Sequence, residues 1–537
     1  MSTSSPPCSR WAMSVTSATC TQRTRLPVRS APATTCGWPR RTASSWRTSS
    51  TVGSITAMVS DRVSTTMIRS LQGVSREQTV KRSGAVLTLC GWPPAPPANE
   101  TCAMSEHANL LRRHRAVMPS WMALNYRDPI EIVGGKGNRV TDAEGNVYLD
   151  FFTGILTNML GYDVPEVREA VERQIATGVV HTSTAYLLRG QVELAEKIAR
   201  LSGIPDAKVF FVNSGTEANE AALLLAAYAR RSDQVLAMRQ SYHGRSFAAT
   251  GVTGNRAWTN LSFSPLDVHF LHGADRHLPQ FAGMSDERYI DACTQDLRHV
   301  LATATGGDVA ALIAEPIQGV GGFTMPPDGL FAAYKSVLDE HGILFVSDEV
   351  QTGWGRTGQG FWGIDNHGVT PDAMTFAKGL GNGFAVGGVV ARGDLMDGLH
   401  AVGISTFGGN PVSMAAANAT LDHILDHDLQ ANAARQGATI IGGLAAAAGR
   451  FPVVADVRGK GLMFAVELAD PRTGEPSPPL AAALMEAARE RGLLVGKGGL
   501  YGNVVRMAPP MTLTDDEAAE GLGILIASLE ALPEESV

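Results

Sequence analysis

Beyond about residue 104 the apolar positions follow two periods. The runs "KVFFVN" (208–213), "QVLAMRQ" (234–240), "VAALIAEP" (309–316), "ILFVSDEV" (343–350) and "VGGVVARG" (386–393) are almost continuously apolar. Such runs predict strands buried on both faces. Between them "GQVELAEKIARL" (190–201), the stretch from 215 to about Arg231 and "LFAAYKSVLDEHG" (330–342) carry helical spacing. Strands alternating with helices predict a mostly parallel α/β sheet. "VYLDFFTGI" (147–155) reads as a strand entering the fold. After Pro411 comes a long alanine-rich helical stretch. "VVADVRGKGLMFAVEL" (453–468) and "VVRMAPPM" (504–511) then predict a smaller α+β domain. No internal repeat is visible.

The first hundred residues break this pattern. They hold 11 arginines, one lysine and three acids (Asp61, Glu77, Glu100), with four of the chain's eight tryptophans. No helical or strand period persists there. An Arg-rich, Ser-rich, acid-poor leader has the composition of an organelle transit peptide. Scattered Trp and Cys spoil its amphipathic face, however, and helical patterning begins at once with "MSEHANLLRRHRAVMPSW" from Met104. The reading adopted is that 1–103 is a disordered extension from a start placed too far upstream.

Composition narrows the function classes. The 537 residues are 44% hydrophobic and 18% charged, which suits a globular protein with a sizeable core. A net charge of −7 gives no footprint for nucleic acid. No apolar run reaches 18 residues, so no membrane span is expected. Five of six cysteines (Cys8, Cys20, Cys36, Cys90, Cys102) precede residue 103 and only Cys293 follows, in no zinc spacing. No metal site is expected. One thiol in the main body suits a reducing compartment, hence the cytoplasm, or an organelle if 1–103 is a transit peptide.

There are 37 arginines against 8 lysines, which draws attention to Lys378 in "PDAMTFAKGLGNG" (371–383). Arginine stays charged, whereas a buried lysine can shed its proton and act as a nucleophile. Other stretches carry matching chemistry. In "NSGTEANEAALLL" (213–225), Ser214 and Glu217 fit a capping box, and the N–H groups of such a helix start suit a phosphate. In "SYHGRS" (241–246), Tyr242 could cover a planar ring and Arg245 could take a carboxylate. Glu315 in "EPIQGVGG" and Asp348 in "FVSDEVQTGWGRTG" end predicted strands, where open α/β sheets bind ligands. Thr406 in "STFGGNP" offers a hydroxyl to phosphate. Each stretch alone also fits capping, packing or a solvated charge. Their order matches what pyridoxal phosphate needs: phosphate donors, a ring cover, an acid for the ring nitrogen and an amine for the aldehyde.

From about residue 120 onward the chain resembles the class III pyridoxal-phosphate-dependent aminotransferases of fold type I. The resemblance rests on "NSGTEAN", "YHGR", "EPIQG", "SDEVQTGWGRTG", "PDAMTFAKGLGNG", "STFGGNP" and "VRMAPP", in that order. It implies an α/β fold with a mostly parallel seven-stranded sheet in a large domain (161–410). The small α+β domain would combine 104–160 with 411–537. It implies pyridoxal 5′-phosphate as cofactor, bound to Lys378 as a Schiff base. Asp348 would pair with the pyridine nitrogen and Gln351 with the phenolic oxygen. Tyr242 and Val350 would sandwich the ring, and Ser214, Gly215 and Thr216 would hold the phosphate. Thr406 would reach the phosphate of a second subunit, which implies a homodimer or a dimer of dimers. Arg506 would receive the α-carboxylate, with Glu315 neutralising it and Arg245 taking a distant carboxylate for ω-amino acids.

"FWG", "GNG", "VRGKGLM", "LLVGKGG" and "RMAPP" look most like the alanine–glyoxylate and β-alanine–pyruvate branch, whereas "YHGR" is common in the 4-aminobutyrate and acetylornithine branches. The expectation is a ping-pong transfer from a small amino acid, an ω-amino acid such as β-alanine or alanine itself, to pyruvate or glyoxylate. The alternatives are a 4-aminobutyrate or acetylornithine/ornithine type using 2-oxoglutarate, a phospholyase on the same scaffold, and a silent cofactor-binding regulator. The last needs a DNA-binding module, and 1–103 shows no helix-turn-helix pattern.

Overall fold

The computed structural model describes residues 105–259 and 263–532. The expectations for 1–103 lie outside the described residues. Ser105 caps a first helix, Glu106–Val117, by accepting from the Ala108 N–H; this helix buries none of its residues. A small antiparallel sheet follows: β1 (Ile132–Lys136), β2 (Arg139–Asp142) and β3 (Val147–Asp150). The strand expected over 147–155 thus stops at Asp150. The Asp150 carboxylate accepts from the backbone N–H of Phe152 (2.7 Å) and Thr153 (2.9 Å), which turns the chain out of the ladder. Thr153–Leu156 then forms a turn in left-handed backbone.

The central sheet has seven strands: β4 (Ala207–Val212), β5 (Gln234–Met238), β6 (Asp267–Leu271), β7 (Ala311–Ala314), β8 (Leu344–Asp348), β9 (Ala373–Phe376) and β10 (Gly387–Arg392). Their order is β4-β10-β9-β8-β7-β5-β6. All neighbours pair in parallel except at β10, which is antiparallel to both β4 and β9. The link from β9 to β10, holding the tight turn Lys378–Gly381, is too short for the helical crossover a parallel return needs. Helices such as Gly215–Arg230 and Leu330–Glu340 cover the sheet, and the strands read as unbroken apolar runs because both faces are buried.

After the helices Pro411–Asp426 and Leu429–Ala448, the hairpin β11 (Val454–Lys460) and β12 (Met463–Leu468) pairs with later strands. β13 (Leu493–Leu494) joins β3 in parallel, while β14 (Gly496–Gly498) and β15 (Val504–Met507) complete a second four-stranded sheet with β11 and β12. Six strands of the central sheet run the same way, so Ser214, Tyr242, Glu315 and Lys378 follow strand ends, and Asp348 closes one, on the same edge.

Candidate active site

That carboxyl edge opens into a cavity of about 320 Å³. Its lining includes Ser214, Gly215, Thr216, Tyr242, Glu315, Asp348, Val350, Gln351, Lys378 and Arg506. Ten of the twelve residues singled out in the sequence thereby meet in one place. Arg245 and Thr406 do not. Arg245 is exposed and stacks over Trp121 (4.7 Å) in a neighbouring cavity of about 620 Å³, with Arg256 and Trp258. Thr406 is exposed on a loop and does not line the cavity.

The helix Gly215–Arg230 points its N-terminus at the cavity, and its unpaired N–H groups and dipole favour an anion there. Ser214 caps it through the Glu217 N–H (3.2 Å). The capping box expected from Ser214 and Glu217 is incomplete: the Glu217 carboxylate reaches one residue further back and accepts from the Asn213 N–H (2.6 Å). Backbone packing is tight around this cradle. A Cβ on Gly215 would lie 2.8 Å from a Val350 methyl, and one on Gly244, at φ +135°, would lie 2.5 Å from the Thr216 hydroxyl.

Asp348 ends β8 almost fully buried. Its Oδ2 lies 2.7 Å from His243 Nδ1 and accepts from Asn219 Nδ2 (2.7 Å), and its Oδ1 accepts from the Val350 N–H. Asn219 is fixed in turn by Thr375, whose hydroxyl donates to Asn219 Oδ1 (2.6 Å). A buried carboxylate held by three donors is a preorganised acceptor for a fourth. His243, Asn219 and Thr375 were missed in the sequence. All three sit inside motifs quoted for their neighbours, but their meeting at Asp348 joins positions more than a hundred residues apart.

Lys378 faces the cavity at φ +47°. Burial, and then the charge of Arg506, push its ammonium down to about 8, against a smaller opposing pull from Asp348 and Glu315. Arg506 on β15 is buried between the rings of Phe323 (5.4 Å) and Phe152 (5.8 Å). It donates to the carbonyls of Gly319 (2.7 Å) and Lys497 (3.1 Å), and among the described residues it has no ion pair with a carboxylate. Glu315 does not bond it; its carboxylate accepts from the N–H groups of Tyr242 (2.8 Å) and Gly319 (2.9 Å), and burial pushes its pKa above the usual carboxylate range, to about 7. Gln351 presses its amide on Gly319, and its Oε1 is buried without a hydrogen-bond partner. Tyr242 meets Trp258 edge-on at 5.3 Å. A phosphate cradle, a held carboxylate, an amine of depressed basicity and a spare amide therefore line one cavity, and this set fits a phosphorylated pyridine aldehyde.

Comparisons with known proteins agree. Residues 122–529 match the family described as aminotransferase class-III. The chain is 39% identical over 414 residues to alanine–glyoxylate aminotransferase 2 homolog 2, mitochondrial, of Arabidopsis thaliana, covering 76% of this chain and 84% of that one. It is 38% identical to the acetylornithine aminotransferase of Corynebacterium efficiens, covering 75% and 93%. Among solved structures, a phospholyase from Arthrobacter in complex with phosphoethanolamine is similar at 35% identity and a TM-score of 0.72, covering 79% of this chain and all of that one. A PLP-bound amine transaminase from an uncultivated Pseudomonas species is similar at 31% identity and a TM-score of 0.71, covering 77% and 97%.

Proposed function

The chain belongs to the class-III aminotransferases, and on that premise we propose that it moves an amino group from a small ω-amino acid such as β-alanine, or from alanine, to pyruvate or glyoxylate. Its cofactor is pyridoxal 5′-phosphate. One observation carries the assignment of roles: Lys378, Asp348 and the N-terminus of Gly215–Arg230 line the same cavity.

The bound cofactor supplies an electrophilic carbon for amine exchange and an electron sink for the donor's Cα electrons. Gly215 and Thr216 hold its phosphate through backbone N–H groups, with the Ser214 hydroxyl beside them. Tyr242 and Val350 clasp its ring, Gln351 serves the ring oxygen, and Asp348 keeps the ring nitrogen protonated. Lys378 anchors the cofactor through Nζ at rest. With the cofactor bound, Lys378 would lie beside the donor's Cα in this cavity and would hold and return its proton. A depressed basicity suits that role, because an amine that stays protonated cannot accept. Arg506 takes the carboxylate of short donors and acceptors, and Glu315 offsets its charge when none is bound. The keto product leaves before the acceptor enters, so kinetics are ping-pong.

The small domain is proposed to combine 104–160 with 411–537 around the large domain 161–410, supported by the pairing of β13 with β3. A second copy is proposed to complete the site. Leu187, Val402, Ile404 and Phe407 are exposed apolar residues, and Phe407 packs on His181 (4.7 Å), so Thr406 stands in a patch suited to a homodimer. Among the described residues no helix is long and apolar enough to cross a membrane, and a cytoplasmic location is proposed.

A second reading is elimination of phosphate from a phosphorylated amino alcohol. It is favoured by Arg245 and Arg256, which share the outer cavity and have no ion pair among the described residues. The experiment is a donor panel with the holoenzyme, scoring amino transfer to pyruvate or glyoxylate against released phosphate. Lys378→Ala must abolish either reaction together with the cofactor's lysine-dependent visible band. Retained turnover would refute the assignment.

A further inference from the structure

Arg356 shares the stretch "SDEVQTGWGRTG" with Asp348, Val350 and Gln351, yet it does not line their cavity. It is wholly buried with no ion pair among the described residues, and burial pushes its pKa down to about 10. A buried guanidinium without a carboxylate is costly. Its Nη1 donates to two carbonyls, those of Leu462 (3.0 Å) and Pro509 (2.9 Å). Its Nε and Nη2 have no hydrogen-bond partner among the described residues. Its own carbonyl accepts from the Leu462 N–H (3.0 Å). The two backbones meet closely: a Cβ on Gly461, at φ +54°, would lie 2.5 Å from the Arg356 carbonyl oxygen.

Leu462 precedes β12 and Pro509 follows β15, and these strands pair with each other, with Ala465 opposite Arg506. Arg356 therefore grips the ends of both. The contacts close into a circuit. Pro509 lies three residues beyond Arg506, and Arg506 donates to the Gly319 carbonyl (2.7 Å). A Cβ on Gly319 would lie 2.1 Å from Gln351 Nε2, and Gln351 lies five residues before Arg356. The joints at Gly319 involve residues that line the cavity, whereas the joint at Pro509 is made by Arg356 outside it. Opening that outer joint frees the strand of Arg506 to shift against the loop of Asp348 and Gln351. We infer that Arg356 is a positioning residue that fixes the distance between Arg506 and Lys378, and so selects donors by the number of carbons between amine and carboxylate.

The inference rests on Arg506 taking the donor's carboxylate in an amino-transfer site. Its test compares holoenzymes of the wild type, Arg356→Met and Arg356→Lys. For each, kcat and KM are measured for β-alanine and for 4-aminobutanoate, which is longer by one methylene, and cofactor occupancy is read from the visible band. The wild type is expected to prefer one donor by about tenfold or more, the discrimination one methylene commands in a shaped site. Arg356→Met removes the donor groups and the charge. It should bring the ratio of the two kcat/KM values about tenfold nearer to one, through KM, with occupancy unchanged. Arg356→Lys keeps a cation in reach of the two carbonyls and should recover part of the preference. If Arg356→Met does not fold, Arg356→Lys carries the test, and its ratio should still move by more than about twofold. A ratio that moves by less than about twofold, or a loss of occupancy with both activities falling in step, overturns the inference and makes Arg356 a staple of the fold. A wild type that does not discriminate between the donors overturns it too. A wild-type enzyme that transfers neither amino group refutes the reading of the cavity, and this inference with it; transfer with an unmoved ratio sinks only this inference.

Discussion

Lys378 has a protonation cost that its function requires. Burial and the Arg506 charge lower its ammonium from the ordinary lysine range to about 8. Between pH 8 and that range the unfolded chain binds a proton that the folded chain does not, so the cofactor-free protein gains stability as pH rises through this window. Below pH 8 both states are protonated and the full cost of the buried charge is present. Lys378→Ala should therefore raise the melting midpoint of the cofactor-free protein at pH 7 and flatten its rise toward pH 10, although it destroys activity. A lowered midpoint would show that Lys378 is held by favourable contacts instead. His243 makes a second residue-level case. Its Nδ1 shares Asp348 Oδ2 with Asn219, and its own ring is fully enclosed. One hydrogen bond to a charged group contributes about 1.5–3 kcal/mol. His243→Phe should thus weaken cofactor affinity by about tenfold or more in a titration of the cofactor-free protein, whereas His243→Asn, which keeps a donor, should recover part of it. Single residues were legible in the sequence where chemistry demands one residue type, as with the amine of Lys378. His243 was not, because its role comes from a contact across 105 positions.

At the scale of elements, the site depends on how closely the helix Gly215–Arg230 approaches the loop after β8. A side chain at Gly215 would drive a carbon into Val350, which would flank the ring of a bound cofactor. Gly215→Ala should therefore lower cofactor affinity, and Val350→Ala alone should lower it less. In the double variant the space removed from Val350 accommodates the new methyl, so the two effects should be less than additive, as residues in contact commonly are. Strict additivity in cofactor titrations would mean that the close approach is unimportant. The strands that carry the site were legible because a strand covered on both faces must be apolar throughout, and polar residues such as Asp348 mark where it ends. The end of β3 was not. "LDFFTGI" has the apolar density of a strand, and the usual sign of left-handed backbone, a run of Gly or Asn, is missing from three of the four positions in Thr153–Leu156. The turn is imposed instead by the Asp150 carboxylate and by Ala508, partners that local sequence does not reveal. The antiparallel course of β10 was hidden for a related reason: its composition matches its parallel neighbours, and only the length of its connection sets its direction.

For the whole molecule, the arrangement of one chain leaves a specific gap. Ten of the twelve residues marked in the sequence line the cavity or its rim, while Thr406 faces outward beside Phe407 and Ile404. If a second copy delivers Thr406 to the phosphate, every site takes its lysine from one chain and its threonine from the other. Defects in these residues should then complement. Thr406→Asp, which sets a carboxylate against the phosphate, and Lys378→Ala should each give an inactive homodimer. Unfolding and refolding the two together in equal amounts yields mixed dimers, in which one site carries both defects and the other carries neither. Random pairing makes about half the dimers mixed, so about a quarter of all sites should be intact, and activity should return to about that fraction of wild type. The recovered activity should fall away when the mixture is diluted far enough for subunits to separate, since each intact site exists only while the two chains are paired. No recovery, with mixed dimers demonstrated by mass, would mean that a single chain already holds everything its site requires.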